Sequence, residues 1–195
     1  DVTALCLSSD RTKVATGQNG PKPLVFVWNS STAEYICQRR VPKGGRLVSA
    51  IGFSNDGKHL AACDMSEKIT VHIFDLGPKG GEGPIAEVQI NQKVMQISWS
   101  PNDPNVFATV GKDHMMVCTL TPGAKAACSK KKATMKGGKF ASQSSIAWAS
   151  DGKTMFTGGA DGKIYSWNGV GPGASQGKSF DNCKGAVHSL TIGME

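Results

Sequence analysis

The stretch "GVGPGASQGKSF", Gly169 to Phe180, has the glycine content and the Gly-Lys-Ser ending with which nucleotide-binding enzymes hold phosphate. Such a loop needs a glycine, four residues of any type, then Gly-Lys-Ser or Gly-Lys-Thr, so that successive backbone N–H groups curl round the anion. Counting back from Gly177, the place that must be glycine is held by Pro172, which has no N–H to offer. The loop must also lead into a helix whose N-terminus faces the phosphate. The residues after Ser179 are "FDNCKGAVHSLTIG", without apolar spacing of three and four. Nucleotide binding is therefore not expected, and the stretch reads as a surface loop joining the third and outer strands of a sheet.

The other residue types capable of chemistry are equally dispersed. The six cysteines, at 6, 37, 63, 118, 128 and 183, include no C-x-x-C pair, and "ALCL", "YICQ" and "MVCT" place three of them in apolar strand-like runs. They read as free thiols packed in a core rather than as a disulfide framework. His59, His72, His114 and His188 have no metal-ligand spacing, so no metal or cofactor is expected. Asp64, Asp113 and Asp161 recur in turns but lack a matching histidine or second acid for acid–base work. They are expected to cap backbone N–H groups, and no catalytic residue and no small-molecule substrate is expected.

The elements that must carry these residues are short strands. Glycine is abundant, with 24 residues in 195, and no apolar run approaches the length of roughly 18 residues that a membrane span needs. Laid against itself, the chain repeats four times. The units open with "VTALCLSSDRTKVATGQ", "LVSAIGFSNDGKHLAACD", "VMQISWSPNDPNVFATVGKD" and "QSSIAWASDGKTMFTGGADGK". Their third strands end at Trp28, Phe74, Cys118 and Trp167, at spacings of 46, 44 and 49 residues. "SNDGK" and "SDGK" set Asn or Asp before a glycine able to take positive φ, as a tight hairpin requires.

A four-stranded unit cannot bury both faces alone, so neighbours must stack around an axis as blades. The reading is all-β, four four-stranded blades of a larger, seven-bladed β-propeller. The blades fall at 1–45, 46–90, 91–140 and 141–182, with 183–195 as the first strand of a further blade. Leu5, Ile51, Ile97 and Ile146 are expected to fill the contacts between blades. Asp1 is not an initiator methionine, and a partial piece of a longer chain is expected.

The first unit, "DVTALCLSSDRTKVATGQ" leading to "VFVWNSST", with "HIFDL" and "VMQISWSPNDPNVFATVGKDH", resembles the WD-repeat superfamily and, more narrowly, the echinoderm microtubule-associated protein-like family. The similarity covers essentially the whole chain. No intact Trp-Asp pair stands at the four sites and no Gly-His precedes a first strand, so the usual hydrogen-bonded tetrad of such blades is incomplete. No hydrophobic motif or coiled coil of the kind that family carries before its first propeller is visible. The resemblance implies a non-catalytic, cytoplasmic protein of the cytoskeleton or of a ciliary or flagellar axoneme, with tubulin as its acidic partner.

Charge agrees in sign. The formal net charge is +7, and no acidic residue lies between His114 and Ser150. That region supplies Lys125, Lys130, Lys131, Lys132, Lys136 and Lys139 as a basic loop, and "QRRVPKGGR" supplies Arg39, Arg40, Lys43 and Arg46. These ten cations are the candidate partner-binding residues, for tubulin or neighbouring cytoskeletal proteins. A solvated lysine run with no partner is the competing reading, as is a general protein-joining propeller without tubulin contact. Nucleic acid is not expected, because no aromatic residues interleave with the lysines as stacking platforms.

Overall fold

In the computed structural model, described over residues 1–42, 45–123, 126–135, 141–169, 175–181 and 183–193, the chain forms sixteen strands in four antiparallel sheets. Blade 1 holds β1 (Val2–Leu7), β2 (Lys13–Gln18), β3 (Leu24–Asn29) and β4 (Tyr35–Arg40). Blade 2 holds β5 (Val48–Phe53), β6 (His59–Asp64), β7 (Thr70–Asp75) and β8 (Ala86–Gln89). Blade 3 holds β9 (Val94–Trp99), β10 (Val106–Gly111), β11 (His114–Thr121) and β12 (Ala127–Lys132). Blade 4 holds β13 (Gln143–Trp148), β14 (Thr154–Gly159), β15 (Lys163–Asn168) and β16 (Ser175–Asp181). Each sheet runs in chain order, and the first strands β1, β5, β9 and β13 are successive neighbours at the hub of a β-propeller.

The hairpins close as their residues dictate. Gly57 (φ 67°) and Gly152 (φ 63°) take the left-handed region, and their N–H groups donate to the carbonyls of Ser54 and Ala149. Asp56 accepts from the Ser54 hydroxyl and the Lys58 N–H, which outweigh its partial burial, and Asp151 accepts from the N–H groups of Thr154 and Lys153; both carboxyls are held below the usual range.

Three cores lie between the four sheets. Ala15, Val25 and Val27 of blade 1 meet Leu60, Ala62 and Phe74 of blade 2. Val71 and Ile73 meet Trp99, Phe107 and Cys118 across the next seam, and Val106, Val117 and Met115 meet Tyr165 and Trp167 across the third. Phe74, Cys118 and Trp167, equivalent in their blades, are thus buried against the preceding blade. Their counterpart Trp28 is only half-buried, packed against Phe26 at a tilt and edge-on to Tyr35, on a face that no other blade covers among the described residues. The same asymmetry corrects one inner-strand expectation: Ile51, Ile97 and Ile146 are buried, whereas Leu5 is 68% exposed. Its own pattern is that of a core residue, but among the described residues no blade packs against this face of blade 1.

The first and last seams repeat one another. The Thr3 hydroxyl donates to the carbonyls of Gly17 and Val48, and the Ser144 hydroxyl to those of Gly158 and Val187. A Cβ on Gly17 would lie 2.5 Å from Cγ1 of Val48, and one on Gly158 2.6 Å from Cγ1 of Val187. Val187 therefore holds, against blade 4, the place that the first residue of β5 holds against blade 1. Residues 183–193 carry no strand, but Val187 N–H donates to Gly159 and its side chain is buried. The clearance at Gly17 sets an expected cost: Gly17→Ala forces Val48 away and loses about 1–3 kcal/mol, read as a lower urea midpoint.

Two further expectations change. Gly177, Lys178 and Ser179 lie within β16, with Ser179 opposite Tyr165, and do not form a loop between third and outer strands. Likewise Lys130, Lys131 and Lys132 lie in β12, paired with Cys118, Val117 and Met116, and not in a loop. Both are outer strands, whose two faces meet water at the rim, so they carry no alternation of apolar and polar residues from which a strand could be read.

Candidate interaction surface

The ten candidate cations have different fates. Lys43, Lys125, Lys136 and Lys139 lie outside the described residues. Arg39 is 5% exposed and turns into the seam between blades 1 and 2, where its Nε and Nη2 donate to the Asp75 carbonyl at 3.0 and 2.6 Å. Arg40 remains on the surface but is paired with Glu82 at 3.2 Å. Glu82 sits between β7 and β8, and its carbonyl also takes the Arg40 N–H at 2.8 Å, so this segment of blade 2 straps the outer edge of blade 1. Gln38 and Arg40 bind the Glu82 carboxylate and hold its carboxyl below the usual range. Arg46 is exposed, beside Asn19 and Gly20.

Lys130, Lys131 and Lys132 are brought together. All three are exposed on the outer strand of blade 3. The register puts Lys130 on the side of Cys118, facing blade 2, where its ammonium reaches the Gln89 carbonyl. Lys131 points to the opposite side. The strand is therefore a ridge with positive charge on both faces.

The hub holds a concavity of about 500 Å³, lined by Leu5, Ile51, Met95 and Ile97 from the first strands and by His188. Trp99 also lines it, its Nε1 donating to the Gly52 carbonyl at 2.9 Å, and in the next blade Trp148 Nε1 makes the corresponding bond to the Ser98 carbonyl at 3.1 Å.

Between blades 1 and 2 lies a polar cluster that strand-by-strand reading misses. His72 Nε2 stands 2.6 Å from Asp64 Oδ2, and its Nδ1 stands 3.0 Å from Glu87 Oε1. His72 and Asp64 are buried, and Glu87 opens to solvent. Burial works to raise the Asp64 carboxyl, but hydrogen bonds from His72 and Ser66 outweigh it and hold the group below its usual range. The signal was available: in paired strands, Asp64, His72 and Glu87 fall on one face. Asp64 and Asp161 do accept turn N–H groups, from Ser66 and Lys163, whereas Asp113 itself takes positive φ (56°).

Blade by blade, the polar network differs. Trp167 Nε1 donates to Thr157 Oγ1 at 2.7 Å, and Thr157 donates on to Gln143 at 2.5 Å. Trp28 makes the same bond to Thr16 at 3.0 Å. In blade 3 the buried His114 takes the equivalent neighbourhood beside Thr109, its Nδ1 3.2 Å from the Lys112 carbonyl. Burial lowers the pKa of this imidazole. The thiols of Cys6 and Cys63 are pushed up to about 12 by burial, and of the six cysteines Cys183 is the exposed one. Among the described residues, no three His, Cys, Asp or Glu side chains are placed to hold a metal ion. No helix among them is long and apolar enough to cross a membrane.

Comparison with known proteins finds similar chains. The family described as WD domain, G-beta repeat matches residues 129–168. The ciliary WD repeat-containing protein ctxp80 of Euplotoides octocarinatus is 34% identical over 175 residues, covering 87% of this chain and 23% of the relative. Echinoderm microtubule-associated protein-like 1 of Rattus norvegicus is 29% identical over 184 residues, covering 86% of this chain and 21% of the relative. Echinoderm microtubule-associated protein-like 2 of Homo sapiens is 27% identical over 178 residues, covering 86% and 26%. The chain thus spans about a quarter or less of the length of these relatives. Among solved structures, the beta-propeller domain of Myceliophteria thermophila Cps50 (Swd1) superposes with a TM-score of 0.76 at 15% identity, over 98% of this chain and 59% of that one.

Proposed function

We propose that this chain, a WD-repeat β-propeller related over most of its length to echinoderm microtubule-associated protein-like and ciliary WD-repeat proteins, is a non-catalytic segment that docks on tubulin or on neighbouring cytoskeletal and axonemal proteins. Cytoskeleton and cilium are the places this reading assigns it. The observation that carries it is the ridge of Lys130, Lys131 and Lys132, exposed on β12 within a stretch free of acidic residues from His114 to Ser150. An exposed pair is worth about 0.2–1 kcal/mol, so recognition must come from the summed field of several cations, which salt screens. The bare face of blade 1, with Trp28 and Leu5, is assigned to further blades of a longer polypeptide.

Co-sedimentation tests the reading. The chain is expected to pellet with microtubules at low salt, to pellet less as salt rises, and to lose most of this when Lys130, Lys131 and Lys132 are all changed to Gln. Failure to pellet at low salt removes tubulin as the partner. A second reading, a protein-joining propeller without tubulin contact, is favoured by Arg39 and Arg40, whose charges are already engaged within the chain.

A further inference from the structure

We infer that the free edge of β12 is a docking site for an extended acidic peptide, which adds to blade 3 as a fifth strand. The inference rests on the partner-binding role given above to Lys130–Lys132 and adds to it a mode of binding through the main chain.

The main-chain directions are set by two bonds. Leu120 N–H donates to the Asn105 carbonyl, on the β10 side, and Ala133 N–H donates to Met115. In an antiparallel pair, residues alternate between those bonded to the partner strand and those pointing away from it. Ala127, Ser129 and Lys131 therefore bond β11 through their pairs Thr121, Thr119 and Val117, and the N–H and C=O groups of Cys128 and Lys130 point off the outer edge.

Each of the other three outer strands has one such group capped by a neighbouring segment. Arg40 N–H is taken by Glu82, the Gln89 carbonyl by the Lys130 ammonium, and Gln176 N–H by the Thr134 carbonyl. Among the described residues, no other element bonds the main chain of Cys128 or Lys130. An open edge of this kind is a template for an added strand.

Charge selects the occupant. Lysines along an edge repel neutral and basic strands, which is how exposed edges are ordinarily protected. An acidic strand reverses the sign: its alternate side chains fall to the two sides of the sheet, where Lys131 meets one set and Lys130 the other. The carboxylates gain cations on both faces while the backbone completes its ladder.

The test separates main-chain from charge recognition. A dye-labelled octaglutamate peptide is titrated into the 195-residue chain at low salt and followed by anisotropy. A second peptide of the same charge carries an N-methyl group at every amide, which removes its main-chain donors on both edges. Lys130→Gln removes a charge, and Lys130→Pro removes the same charge together with the outward N–H. Strand addition predicts saturable binding, a loss of about tenfold or more for the methylated peptide, and a loss for Lys130→Pro several-fold beyond that for Lys130→Gln. Equal binding of the two peptides, or no saturable binding of either, overturns the inference. Because the methylated peptide leaves the protein untouched, that comparison stands even if Lys130→Pro perturbs the sheet. Salt-sensitive pelleting with microtubules alongside equal binding of the two peptides would leave the tubulin reading intact and remove only the fifth strand.

Discussion

Trp167→Ala is expected to destabilise the chain by about 3–5 kcal/mol, and Trp28→Ala by only about 1–2 kcal/mol, although the two tryptophans end equivalent strands. Trp167 is fully buried against blade 3 and also loses its bond to Thr157, which leaves that hydroxyl and Gln143 to rearrange in a closed core. Trp28 keeps one side toward water, so its removal costs contacts with Phe26 and Tyr35 but opens no cavity. Chemical denaturation at low protein concentration, followed by far-ultraviolet circular dichroism, measures both. Equal losses would mean that the Trp28 face is covered in solution, which sedimentation of the wild-type chain would then detect as self-association.

Asp64→Ala is expected to cost about 3 kcal/mol, because it strips a buried imidazole of one of its two carboxylates. His72 would retain only Glu87, from the solvent side. Proton linkage adds a direction. The folded Asp64 carboxyl lies below its ordinary range, so its contribution is complete above about pH 4 and is lost as pH falls through the lower folded value. His114 acts in the same sense at higher pH: its imidazole is held neutral by burial, so stability begins to decline as pH drops below about 6.5. Melting temperature against pH should fall in two steps. The step below pH 4 should shrink in Asp64→Asn, and the step below pH 6.5 in His114→Gln; an unchanged profile in both variants would contradict the assignment.

Much of the architecture was legible because it is local. "SNDGK" and "SDGK" announce their turns through Gly57 and Gly152, and alternation marks the inner strands. The recurrence of Trp28, Phe74, Cys118 and Trp167 sets the period. The features that escaped are long-range or edge-bound. Leu5 has the pattern of a core residue, and only the arrangement of blades leaves it in water. Arg39 reads as one of a basic pair, yet a carbonyl 36 residues away takes its guanidinium out of the surface. "ACSKKK" and "SQGKSF" look like loops because an outer strand faces solvent on both sides and owes its form to pairing alone. The Asp64, His72 and Glu87 cluster needed the register of three strands before its members could be seen as neighbours.

The matching positions of Val48 and Val187 repeat one joint at two seams. The later joint is shaped by Gly158 and Ser144 as the first joint is shaped by Gly17 and Thr3. Blade 4 is thus clasped by the segment that follows it in the same way as blade 1 is clasped by β5, through a valine seated on a glycine and a hydroxyl that grips the valine's carbonyl.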